Sequence, residues 1–348
     1  MKFLRFLLFP FALIYGFIVL LRNFFYDSGF FKSSKFSMPI ICVGNLSMGG
    51  TGKTPHTEYL IRLLKDKYKV ATLSRGFGRK EREFRIADNQ ATALNLGDEP
   101  LQYHLKFKEQ ITVAVEANRV HGVMDICLQK PETNLILLDD AYQHRAIHAG
   151  FNILLTSYNE PFYTDFMVPV GNLREFRAGK KRANVVIVTK CPDFVKINKV
   201  DIAAKLKISP EQNLFFSRIN YGKLISLNDA SALENSSGNQ IVLVTGIANS
   251  KSLVDQLSIN NEILHHFDYR DHHTFSASDL TEIHNLFDKF ASPQTILVTT
   301  EKDAMRLLRS ELEKTLKNYP WYYQEIQVEL DNSAEFDKLI LEYAEKNS

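Results

Sequence analysis

The chain has 348 residues, 45% of them hydrophobic, and 42 Lys and Arg stand against 40 Asp and Glu for a formal charge of +2. That length allows one large or two medium domains with a substantial core, while so balanced a charge offers no global field for nucleic acid. Cys42, Cys127 and Cys191 lie far apart in no paired spacing, which suits a reducing compartment and excludes a disulfide scaffold or a cysteine zinc site.

From Phe6 to Leu21 every residue is apolar, Tyr, Gly or Pro, with Lys2, Arg5 and Arg22 at the flanks. The run is shorter than the roughly 20 residues of a spanning helix, and Pro10 and Gly16 weaken a straight one. It leads into Arg22-Asn23-Phe24-Phe25-Tyr26, bulky and basic where a cleaved signal wants small residues. The segment reads as a retained helix embedded in, or lying on, the inner leaflet of a membrane. A helix buried against the protein body is the alternative.

Strand-length apolar runs follow at Ile40 to Val43, Val70 to Leu73, Ile111 to Val115, Leu135 to Leu138, Ile153 to Thr156 and Val185 to Thr189. Helix-like segments come after Thr54, around Leu101 to Phe107 and around Val120 to Leu128. This alternation predicts an α/β fold whose mainly parallel sheet carries helices on both faces, with ligands beyond the carboxyl ends of the strands. A polar stretch from Ile197 to Ser237 reads as a passage between lobes. Beyond it, Gln240 to Thr245, Thr295 to Thr300 and Trp321 to Leu330 read as strands, and Lys251 to Leu257, Ala277 to Phe290 and Glu335 to Lys346 as helices. The expected division is an apolar helix over 1–30, a P-loop NTPase-like core over 31–210 and a smaller α/β lobe over 211–348.

Between the first strand and first helix lies Ser47-Met48-Gly49-Gly50-Thr51-Gly52-Lys53-Thr54, which ends as a phosphate-binding P-loop does but has Ser47 where the generic pattern has Gly. Its glycines let successive N–H groups turn inward, and the following helix adds its positive end. Lys53 is then placed for β- and γ-phosphates and the Thr54 hydroxyl for Mg²⁺. The run Leu135 to Leu138 ends in Asp139 and Asp140, so either acid can hold Mg²⁺ directly or through water.

Other elements read less sharply. Asp98-Glu99-Pro100 after Gly97 is what a helix start prefers, with Asp98 as N-cap. Asp271-His272-His273 lacks the third ligand of a zinc site, and a histidine orienting a catalytic acid fits it better. Arg75 and Arg79, and Arg174, Glu175 and Arg177, follow strands, where they either anchor anions or are solvated charge.

Taken in order, Gly44-Asn45-Leu46, Gly49 to Pro55, Ser74-Arg75-Gly76-Phe77-Gly78, Gly97 to Pro100, Leu138-Asp139-Asp140 with Gln143-His144, Leu173-Arg174-Glu175, Asp271-His272 and Thr300-Glu301-Lys302-Asp303 resemble the tetraacyldisaccharide 4'-kinase (lipid A 4'-kinase) family. The resemblance implies an ATP- and Mg²⁺-dependent kinase at the cytoplasmic face of a bacterial inner membrane. Its acceptor would be a lipid A disaccharide precursor, and it implies no obligate protein partner. It also implies Asp98 as general base with His272 as its partner, Glu99, Arg75, Arg79 and Arg174 on the substrate side, and Asp139, Asp140 and Glu175 on the Mg²⁺ side. The rival is a P-loop GTPase or metal-insertion chaperone that uses nucleotide as a switch, but Val188-Thr189-Lys190-Cys191-Pro192-Asp193 matches its base-reading segment poorly.

Overall fold

The computed structural model describes residues 6–308 and 312–348; the expected basic flanks Lys2 and Arg5 lie outside them. One twelve-stranded sheet runs through the molecule. Its strands are β1 (Ile40–Asn45), β2 (Val70–Ser74), β3 (Arg85–Ile86), β4 (Thr112–Val115), β5 (Leu135–Asp139), β6 (Phe151–Ser157), β7 (Val185–Thr189), β8 (Asn213–Ser226), β9 (Gln240–Thr245), β10 (Glu262–Asp268), β11 (Thr295–Thr300) and β12 (Trp321–Leu330). Their order is β10-β9-β11-β12-β8-β7-β6-β1-β5-β2-β4-β3. Pairing is parallel except for β3 with β4 and β12 with β8. All positions of β1, β2, β5 and β7 are buried, as expected where helices cover both faces of a parallel sheet.

The longer helices are α1 (Phe9–Asp27), α2 (Lys53–Leu64), α3 (Asp98–Phe107), α4 (Arg119–Gln129), α5 (Lys199–Leu206), α6 (Lys251–Leu257), α7 (Ala277–Lys289), α8 (Glu301–Leu307) and α9 (Ser333–Lys346). Pro10 sits in the first turn of α1, where no backbone N–H is needed, so it does not break the helix. By length and composition α1 could cross a membrane. Only a stripe of small residues, Ala12, Gly16 and Val19, is buried, and a Cβ on Gly16 would come 2.8 Å from the Phe176 ring. Phe11, Leu13, Ile14, Phe17 and Ile18 are exposed. The helix is thus docked on one face and bare on the others, a mixture of the two expectations.

The stretch expected as an inter-lobe passage instead contains α5 and β8. Strand β8 begins parallel to β7 over Asn213 to Phe216, then runs antiparallel to β12 over Ser217 to Ser226, welding the halves into one sheet. Helix α9 also returns to the first half: Phe336, Ile340 and Ala344 join the core of Ile41, Leu60 and Leu64. Tyr343 donates to the Ile40 carbonyl at 3.1 Å and Tyr59 donates to Asp337 at 2.7 Å. Burying Phe336 and Ile340 is worth roughly 1.5–3 kcal/mol each, so residues 211–348 do not pack as a self-contained lobe.

Candidate active site

Strand β1 ends at Asn45 and α2 starts at Lys53, with Gly52 as a left-handed N-cap at φ 85° and Gly49 at φ 106°. These are the conformations for which a cradle needs glycine. Ser47 does not need it, because its backbone makes an antiparallel bridge with Leu173; this explains the departure from the generic pattern. The loop is pinned from behind. Asn45 Nδ2 donates to Thr51 Oγ1 at 2.8 Å, Thr189 Oγ1 donates to the Thr51 carbonyl at 2.8 Å, and the exposed Met48 donates its N–H to the Asn172 carbonyl at 2.6 Å. His56 Nδ1 bonds the Gly52 carbonyl at 2.6 Å and its Nε2 the Ser217 hydroxyl at 2.9 Å. A carbonyl only accepts, so Nδ1 carries the proton, and burial pulls the ring down to about 4, keeping it neutral.

Lys53 leaves this loop with its Nζ 3.7 Å from Asp140 Oδ2. Thr54, in the same first turn of α2, is half-buried. Gly50 is exposed. Asp139, 4% exposed, accepts the Tyr103 hydroxyl at Oδ2, 2.9 Å away, while its buried Oδ1 has no partner. Burial first, then the neighbouring Asp140, pushes this carboxyl up to about 6. Burial would also raise Asp140, but Lys53, Arg174 and Arg119 hold it below the usual carboxylate range. An unpartnered buried oxygen beside a cation-held carboxylate fits Mg²⁺, which takes one or two carboxylates and completes its shell with phosphate and water oxygens. Among the described residues no cluster of three His, Cys, Asp or Glu could cage a metal by itself.

The start of α3 is set by close backbone packing. Gly97 is the N-cap of α3 with φ 95° and ψ 162°, and a Cβ there would meet the Phe77 carbonyl at 2.9 Å. Asp98 is therefore the first helical residue, not the expected N-cap, and its side chain caps nothing. Its Oδ2 accepts from Arg306 Nε at 2.7 Å, and Arg306 Nη2 reaches His272 Nδ1 at 3.1 Å. Asp98 and His272 thus meet through an arginine of α8. Glu99 pairs with Lys302 at 3.1 Å; burial opposes its charge, but Lys302 and Lys53 hold it below the usual range. Glu99 helps raise Asp139, and Tyr103 of the same helix donates to Asp139 at 2.9 Å, which joins the start of α3 to the end of β5.

Several expected roles change. Glu175 is fully buried, with both oxygens taken by Arg182 at 2.6 and 2.8 Å and Oε1 also by Asn23 of α1 at 2.8 Å; it ties down the N-terminal helix as the buried partner of Arg182, in place of the expected Mg²⁺ role. Arg174 holds Asp140, at 2.8 Å, and Asn45 in place of substrate. Arg79 closes its own loop, donating to the Glu83 and Arg82 carbonyls at 2.7 and 3.0 Å. Arg75 stays exposed, with its charge felt by Arg119 and His144 beside the Asp140 segment. Tyr103, Arg119 and Arg306 are supporting residues that sequence reasoning missed, while Asn45 and Lys302 stood in the resembling motifs without an assigned role. For Arg306 the available signal was a cation in the last turn of the helix that Thr300 caps.

A family model described as Tetraacyldisaccharide-1-P 4'-kinase matches residues 4–345. A tetraacyldisaccharide 4'-kinase of Flavobacterium johnsoniae is 47% identical, with 100% of this chain and 99% of that protein covered. One of Bacteroides thetaiotaomicron is 42% identical over 98% of this chain and 93% of its own. Among solved structures, the crystal structure of LpxK from Aquifex aeolicus in complex with ATP superposes with a TM-score of 0.76 at 26% identity, covering 98% of this chain and 99% of that one. These matches displace the nucleotide-switch alternative. The chain belongs to the tetraacyldisaccharide-1-P 4'-kinase family.

Proposed function

We propose that this kinase of lipid A biosynthesis transfers the γ-phosphoryl group of ATP to the 4'-hydroxyl of a tetraacyldisaccharide 1-phosphate, giving lipid IVA. The loop Ser47 to Thr54 seats the phosphates on backbone N–H groups and the start of α2. Lys53 offsets charge on the γ-oxygens, which a loose transition state spreads over all three. Thr54, Asp139 and Asp140 would hold Mg²⁺, which when bound neutralises the same oxygens. Asp98 takes the proton of the sugar hydroxyl as its oxygen bonds to the γ-phosphorus and the bond to ADP breaks. It need not be strongly basic, because alignment contributes most of the rate. Arg75 and Glu99 stand on the substrate side.

The observation that carries this reading is that α3, which begins at Asp98 and Glu99, also carries Tyr103, whose hydroxyl donates to Asp139 at 2.9 Å, so one site serves donor and acceptor. The bare face of α1 supports work at the inner leaflet on the cytoplasmic side: acyl chains leave a bilayer at a cost of about 0.8 kcal/mol per CH₂, so the enzyme must come to them. We retain the division into 1–30, 31–210 and 211–348 as functional parts, with α9 completing the core. The test is incubation with labelled ATP, Mg²⁺ and the disaccharide 1-phosphate in detergent micelles. The expected result is a new 4'-phosphate; hydrolysis of GTP with no transfer to the glycolipid would overturn the reading.

A further inference from the structure

We propose that Arg306 is a positioning residue for the transfer step: its guanidinium orients the Asp98 carboxylate and fixes His272 with its ring proton on Nε2. The inference rests on the reading of Asp98 as proton acceptor. Arg306 is 2% exposed, and its donors are distributed over four partners. Nε goes to Asp98 Oδ2 at 2.7 Å, Nη1 to Asp303 Oδ1 at 2.8 Å and to the Gly246 carbonyl at 3.0 Å, and Nη2 to His272 Nδ1 at 3.1 Å. Asp303 is itself fixed, with Oδ2 accepting from the Thr300 hydroxyl at 2.7 Å and the Gly246 N–H at 2.9 Å. The planar fork therefore cannot rotate without breaking several charge-assisted bonds at once.

Two consequences follow from donor chemistry. A guanidinium has no acceptor and keeps its charge, so His272 Nδ1 must offer its lone pair and the proton of the neutral ring sits on Nε2. The His272 backbone reinforces this placement, with φ at 60° and its N–H bonded to the Gly246 carbonyl at 3.1 Å. On the other flank, Arg306 binds Asp98 through Oδ2 and does not occupy Oδ1, the oxygen then left to accept from a hydroxyl. Charge also balances. Arg306 stands between two carboxylates, so when Asp98 takes a proton, Asp303 remains as the counter-ion and no buried cation is left unpaired.

The test uses the full chain in detergent micelles with ATP, Mg²⁺ and the disaccharide 1-phosphate, comparing Arg306→Gln, Arg306→Lys and Asp98→Asn. Displacing a catalytic group by about 1 Å can cost ~10²-fold, so Arg306→Gln is expected to lower kcat by about 10–10²-fold with the KM for ATP within about threefold of the parent. Arg306→Lys, which keeps one charged bond to Asp98, recovers part of that loss, and adding His272→Ala to Arg306→Gln costs less than about twofold more. Parental kcat in Arg306→Gln, beside an inactive Asp98→Asn, overturns the inference and leaves the reading of Asp98 intact. Parental kcat in Asp98→Asn overturns that reading itself. A proportional loss of kcat, ATP affinity and Tm in Arg306→Gln shows a merely structural arginine and also overturns the inference. Should the Gln variant not fold, parental kcat in Arg306→Lys does the same.

Discussion

On the phosphate side of the site, Gly49 to Gly52 lie in one continuous turn between β1 and α2, and Lys53 and Thr54 open the helix, so the loop is local in sequence. At the start of α3, Asp98 accepts from Arg306, 208 residues further on, which also reaches His272 in a loop of the second half. A seat made of consecutive N–H groups survives most side-chain changes around it. A carboxylate held by a distant arginine depends on the whole sheet keeping its register, so the pairing of β8 with β12 supports that contact.

Lys53→Ala should break the local side most severely. With the cradle backbone intact, kcat falls at least about 10³-fold, about 4 kcal/mol, while the Tm measured by calorimetry stays near that of the parent. Arg182→Ala strikes a non-local tie: it leaves the fully buried Glu175 with Asn23 as partner and costs about 3 kcal/mol, the low end for opening a buried pair because Arg182 is partly exposed. Denaturant melts should record that loss, and the exposed length of α1 should become a protease target.

The cluster where α2, α3, α8 and β12 meet gives a pH signature. Lys106 bonds Glu58 at 2.8 Å and Glu301 at 2.5 Å, and burial, then Glu58, pushes Glu301 from 4.5 up to about 7 against the pull of Lys106. Between those values the folded chain binds more protons than the unfolded one, so this group makes stability fall as pH rises from about 4.5 to about 7. Glu301→Gln should flatten that slope by on the order of 2 kcal/mol in melts across the window. The smallest effect is expected from Gly16→Leu, which crowds Phe176 and loosens α1 by about 1–2 kcal/mol while transfer in micelles continues.

The strands most plainly legible in the sequence are β1, β2, β5 and β7, buried on both faces and with no polar interruption in their apolar runs; β4, β6, β9, β11 and β12 were readable as well. Strand β8 hid because Arg218, Asn220 and Lys223 interrupt its apolar positions, and β10 hid because it is an edge with no buried residue. The same contrast holds in the site. The phosphate loop and the acids ending β5 were readable because local backbone geometry and strand position specify them. Arg306 was not, since a buried cation announces itself only once the fold has brought Asp98, Asp303 and His272 around it. Glu175 misled for the same reason, because its partner Arg182 and the α1 residue Asn23 are united only by packing.

The most direct test of the central claim, that a P-loop-held triphosphate gives its γ-phosphoryl group to a hydroxyl deprotonated by Asp98, is a single-turnover measurement on Asp98→Ala beside its equilibrium affinity for ATP. The expected result is ATP affinity within about threefold of the parent with transfer slower by about 10²–10⁴-fold. Transfer at the parental rate, or a loss confined to ATP binding, would contradict it.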